Sequence, residues 1–145
     1  MNMLNRKVKI KFHKNKTNVP IIQFKLKDGS VYYGIVDTGS ESTVLSSRMV
    51  NHELAMFEIA DAKEISFIGV SGSIPTTIKT ASSTFYFGKH KCLIAGMVAD
   101  LDKLNDSIHE CCDKDIYISA VFGCDTFKQL DAIIDFKEQA INLKL

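Results

Sequence analysis

The chain has no tryptophan and only two prolines in 145 residues. So little proline argues against a proline-rich linker protein. Four cysteines occur, at Cys92, Cys111, Cys112 and Cys124; no two are spaced as CxxC, and two are adjacent. That is not the framework of a small secreted domain held by disulfides, so reduced thiols in a cytoplasmic setting are expected. No apolar run approaches the roughly 18 residues that cross a bilayer, and the basic N-terminus lacks the apolar stretch of a signal peptide. An excess of one charge is missing as well. Lys and Arg total 18 against 17 Asp and Glu, a formal net charge of +1, which does not suggest a general nucleic-acid binder or a membrane-surface protein.

What is present is an ordinary globular composition, 46% apolar and 24% charged, which excludes overall disorder. The length suits one domain. Residues 1–18 form a basic arm carrying Arg6, Lys7, Lys9, Lys11, Lys14 and Lys16, and 19–145 form the domain proper. Lys7-Val8-Lys9-Ile10-Lys11-Phe12 alternates with period two, so its lysines read as the wet face of an edge strand rather than a polyanion tether. A tether would bind with steep salt dependence.

Strand signals dominate the rest. Residues 20–26 and 31–36 flank Lys27-Asp28-Gly29-Ser30, a hairpin turn. Ser46 or Ser47 caps a short helix through about Leu54. Residues 65–70 and 74–87 read as strands around Ser71-Gly72-Ser73. Strands follow at 92–98 and 116–122, separated by an acidic loop over 99–115 with a helical turn. Asp125 caps a short helix to Leu130, and 132–136 and 140–145 close the chain as strands. The expectation is an all-β, mainly antiparallel barrel with one or two short helices.

The chemistry sits in Tyr33-Gly34-Ile35-Val36-Asp37-Thr38-Gly39-Ser40. An apolar strand delivers a carboxylate into a turn where Gly39 allows close backbone approach and neighbouring amides and hydroxyls can hold Asp37. Taken alone, Asp-Thr-Gly also fits an Asx-type turn ending a strand. In order along the chain come this loop, the hairpin Ile68-Gly69-Val70-Ser71-Gly72-Ser73, then Ala120-Val121-Phe122-Gly123, a short helix, and Ile133-Ile134-Asp135-Phe136. That order resembles the retropepsin-like aspartic proteases, in their bacterial single-domain form, from about Val19 to the C-terminus. Two departures stand out: Cys124 follows Gly123 where retroviral members carry Arg, and Glu41 follows Ser40 where they carry Asp.

The resemblance implies a retropepsin-like barrel with one lobe per chain. It implies an aspartic endopeptidase with no metal or cofactor, acting on extended peptides. Its site would comprise Asp37, Thr38, Gly39 and Ser40, with Ile68, Gly69, Val70, Ser71, Gly72 and Ile74 as a flap and Val121 and Phe122 as apolar pocket walls. Only one Asp-Thr-Gly occurs, so the paired carboxylates require a homodimer about a two-fold axis. Thr38 would tie the two loops together through its hydroxyl. A Ser40 hydroxyl donating to Asp37 would lower the pair's pKa, so Ser40→Ala should shift an acidic pH optimum upward. The rival from another class is a non-catalytic peptide-binding or dimerisation module on the same fold. A zinc site from His90, Cys92, His109, Cys111 and Cys112 is disfavoured by its spacing. Cys92 and Cys124 read as small core residues.

Overall fold

Asp28 and Gly29 make the first hairpin. Gly29 takes φ +86°, a left-handed value that glycine reaches without Cβ strain, and the amide of Ser30 donates to Asp28 Oδ1 at 2.9 Å. The turn joins β2 (Ile21–Lys25) to β3 (Val31–Val36), antiparallel with Gln23 opposite Tyr33. Along β2, Ile22 and Phe24 are buried while Gln23 and Lys25 are exposed, the alternation of a strand with one face on a core. The computed structural model describes residues 7–61, 65–69, 72–76 and 79–144.

The remaining strands are β1 (Lys7–Lys11), β4 (Val44–Ser46), β5 (Glu58–Asp61), β6 (Ile65–Gly69), β7 (Gly72–Thr76), β8 (Lys79–Phe87), β9 (His90–Ala99), β10 (Ile118–Phe122), β11 (Ile133–Asp135) and β12 (Ala140–Lys144). Among the described residues, three short α-helices join them, α1 (Ser47–His52), α2 (Asp102–Cys111) and α3 (Cys124–Gln129), with a 3-10 turn at Leu54–Met56. The main sheet runs β2-β3-β10-β4-β9-β8, with β5 beyond β8, and a β2–β8 pairing closes it into a barrel. Most pairings are antiparallel, but β10 runs parallel to β3 and β4 parallel to β9. A second sheet, β1-β12-β11, carries the lysine strand on its edge, and β6 and β7 form a separate hairpin.

Phenylalanines fill the barrel. Phe24 stacks on Phe85 at 4.6 Å between ring centroids, and Phe122 meets Phe24 edge-on at 5.4 Å and Phe87 at 5.5 Å. Each of these rings is at most 1% exposed, and burying such a side chain contributes roughly 1.5–3 kcal/mol. Gly34 lies against this cluster. A Cβ there would run into the Phe122 ring, so the glycine is required by packing.

Several sequence expectations are corrected. The acidic stretch is not a loop with one turn; it contains the ten-residue helix α2. The strand expected over 74–87 is β7 and β8, and β5 was not foreseen. Ser46 does cap α1, accepting from the Arg48 amide. Asp125 does not cap α3, whose N-cap is Gly123. No helix among the described residues is long and apolar enough to cross a membrane.

Candidate active site

β10 lies between β3 and β4, so the connection from β3 to β4 must pass over the end of β10. That connection is the loop from Asp37 to Thr43. The topology alone brings Asp37 beside Phe122-Gly123-Cys124. The Asp37 amide donates to Phe122 O at 2.9 Å, and the Ser40 amide donates back to Asp37 O at 3.2 Å. Gly39 N–H donates to Asp37 Oδ1 at 3.0 Å. The carboxylate is thus held by its own turn and stands exposed together with Thr38 and Gly39.

The loop is bolted to the segment after β10. The Cys124 amide donates to Ser40 O at 2.8 Å and the Asp125 amide to Glu41 O at 3.2 Å. Cys124 Sγ donates to Thr38 O at 3.2 Å. At the far end sits Thr43, fully buried. Its hydroxyl donates to Asp125 Oδ1 at 2.7 Å and accepts from the Gly123 amide at 3.1 Å. That leaves Thr126 Oγ1, 2.6 Å away, to donate to it. Asp125 Oδ2 accepts from the Thr43 amide at 3.1 Å. Gly123 is where the two segments touch: a Cβ there would stand 2.8 Å from Ser40 O and Ser42 O, closer than backbone atoms tolerate. Hydrogen bonds to a charged partner are among the stronger ones, so Asp125 serves as a brace for the loop.

Sequence reasoning named Asp37, Thr38, Gly39 and Ser40, and the structure places them in one turn, the first three exposed and Ser40 half-buried. Ser40 differs in detail. Its hydroxyl donates to Ser42 O at 2.7 Å, so it is engaged within the loop rather than with Asp37. Phe122 is core, 0% exposed, and does not line a pocket; Val121, beside it, is half-buried. Ile68 and Gly69 fall in β6, and Gly72 and Ile74 in β7, with Gly69 opposite Gly72. Val70 and Ser71 lie outside the described residues. Cys124, expected in the core, is half-buried beneath Thr38. The braces Thr43, Asp125 and Thr126 were missed as site residues. Their only sequence signal was Asp125 two positions after Gly123.

Other reactive groups sit poorly for chemistry. Burial pushes the Cys92 thiol above its ordinary pKa, and hydrogen bonding with Cys112 does the same to Cys111, the opposite of nucleophile activation. Among the described residues, no three His, Cys, Asp or Glu side chains group around a possible metal position.

No protein-family profile and no curated protein matches the chain. Solved structures do. The retroviral protease-like domain of Ddi1 from Leishmania major aligns over 88% of this chain and 90% of its own, with TM-score 0.55 and 12% identity. A retropepsin-like aspartic protease from Rickettsia conorii aligns over 95% and 89%, with TM-score 0.55 and 13% identity. EIAV protease, complexed with the inhibitor HBY-793, aligns over 85% and 98%, with TM-score 0.53 and 15% identity. The fold is therefore retropepsin-like, as the order of motifs implied.

Proposed function

We propose that two copies of this retropepsin-like chain pair about a two-fold axis and form an aspartic endopeptidase, with Asp37 and the partner's Asp37 facing a scissile peptide bond. The observation that carries this reading is the loop itself. An exposed carboxylate stands on a turn tied to β10 and α3 by backbone and side-chain hydrogen bonds, the fixed positioning that catalysis needs. A carboxylate serving only as a turn residue does not require such bracing.

Two carboxylates in contact cannot both ionise cheaply, so the pair shares a proton. The ionised member takes a proton from a water, which attacks the peptide carbonyl, and the protonated member donates toward the carbonyl oxygen. The pair titrates as a unit. The β6–β7 hairpin would cover an extended substrate bound by backbone pairing, with alternate side chains in pockets. Thr38 would bridge the two loops across the axis. Neither metal nor cofactor takes part.

The test is cleavage of a diverse peptide mixture by the wild type and Asp37→Asn, from acid to neutral pH and over a range of protein concentrations. Fragments from the wild type alone are expected, with a specific rate that rises with concentration. An inert wild type that is demonstrably dimeric would sink the enzyme and leave a peptide-binding module. Because the Ser40 hydroxyl is engaged with Ser42 O, Ser40→Ala should leave the pH profile in place.

A further inference from the structure

β10 changes face partway along. Ile118 packs with Ile21, Ile108 and Ile116 under α2, whereas Ala120 and Phe122 point into the barrel core. Strict alternation would put all three on one side. The switch is a bulge: Ile118 pairs with Tyr33 and Ala120 with the very next residue, Gly34. Ser119 is the extra residue. Bulges in parallel pairs are rare and serve to re-aim a side chain.

Ser119 lines a hollow of about 520 Å³. The residue is only 2% exposed, and its hydroxyl bonds to no protein atom among the described residues. No buried polar side-chain atom among them is sealed away without a partner, which leaves this hydroxyl available to a molecule in the hollow that Ser119 lines. Met49 and Ile116, both buried, complete an apolar floor, and Tyr32, Tyr33 and Tyr117 supply aromatic walls. The polar groups around it are mostly committed. Tyr32 donates to Glu53 and Tyr117 to Asp102, each at 2.7 Å. Arg48 at the mouth is paired with Asp102 at 2.8 Å and lies over the Tyr117 ring at 5.4 Å. Its charge is thereby answered. His52 and Asp115 also line the hollow, but both are exposed, so their charges stay in water and the buried floor offers a charged ligand no counter-charge.

We propose that this hollow is a binding site for a neutral aromatic ring carrying one hydroxyl group, which stacks among the tyrosines and hydrogen-bonds to Ser119. The volume is that of a small-molecule pocket, and an apolar lining with few placed polar groups is the usual construction of one. The site is separate from the Asp37 loop. It opens near Tyr33, four residues before Asp37 along the chain, or on the order of 13 Å at strand rise. It does not rest on the protease reading.

The ring has two possible sources, a free phenol or a tyrosine side chain of a polypeptide. Amide and methyl NMR titrations with p-cresol, toluene and N-acetyl-tyrosinamide separate them. Shifts centred on Met49, Ile116 and Ser119 are expected, with p-cresol binding more tightly than toluene. Ser119→Ala should weaken p-cresol roughly fivefold, the loss of one hydrogen bond, and leave toluene unchanged. Tyr33→Phe, which keeps the ring, should preserve the p-cresol preference and shows that a pocket variant folds. Tighter binding of N-acetyl-tyrosinamide than of p-cresol assigns the site to a polypeptide side chain, and the reverse assigns it to a small molecule. Absence of shifts at these residues, or equal affinities for p-cresol and toluene, overturns the proposal.

Discussion

Thr43 shows how much a single hydroxyl can hold. It gives its proton to Asp125 while accepting from Thr126 and from the Gly123 amide. Thr43→Val keeps the shape and removes the hydroxyl, leaving the buried Gly123 N–H and Thr126 hydroxyl without that partner. A loss of about 2–3 kcal/mol is expected, readable by urea denaturation. If the proposed dyad is right, peptide cleavage should fall further than the change in folded fraction explains, because the loop bearing Asp37 loses its brace. Asp37 was legible in the sequence because an apolar strand ran straight into Asp-Thr-Gly. Thr43 was not, because a threonine in a loop just before a three-residue strand breaks no pattern. Its role exists only once β10 is threaded between β3 and β4. The Ser40 hydroxyl was misassigned for a similar reason: Asp37 is close in sequence, but Ser42 O is what the turn presents to it.

Among the elements, α2 departs most from what its sequence suggests. Its acidic residues made 99–115 read as a loop, and Asn105 interrupts the apolar face at its centre. Asn105 is 2% exposed and replaces packing with hydrogen bonds. Its side chain donates to Leu101 O at 2.9 Å and Ile118 O at 3.0 Å, and accepts from the Ile118 amide at 2.6 Å. It thus treats the start of β10 as a neighbouring strand would. Asn105→Ala strands both backbone groups of Ile118, and a cost of roughly 2–4 kcal/mol is expected, visible as lost amide protection at Ile118 in hydrogen exchange. The helix's far end is moored by Asp113, whose Oδ2 lies 3.0 Å from His13 Nε2. That hydrogen bond, followed by one from the Asp115 amide, holds the Asp113 carboxyl below the usual carboxylate range. A depressed carboxylate stabilises above its unfolded pKa, and the contribution is lost as pH falls through the folded value. Asp113→Asn should therefore lower the thermal midpoint at neutral pH, and the difference should close as pH falls below the ordinary carboxylate range. The hairpin of β2 and β3, by contrast, was plain in the sequence, since alternation and Asp-Gly are local signals.

At the scale of the whole molecule, the one-dimensional order of motifs was enough to indicate the barrel, because each motif is a strand end or turn with its own local signature. The parallel pairings of β10 with β3 and β4 with β9 were not legible, since they join segments distant in sequence and too short to show a period. The lysine strand was expected at an edge and is found there, but its partner, β12, could be known only from the fold. That partnership has a mechanical consequence. Lys7 stands opposite Lys144 and Lys11 opposite Ala140, so the outer ends of the first and last strands lie side by side. Tension applied at the two termini does not shear this pair along its length. It loads the hydrogen bonds one rung at a time, starting from the rung at Lys7 and Lys144. In an optical trap, a low-force peeling of β1 from β12 should precede rupture of the barrel, and a single high-force event would contradict that order. The three-stranded sheet behaves as a zip fastener whose tab is the chain's own two ends.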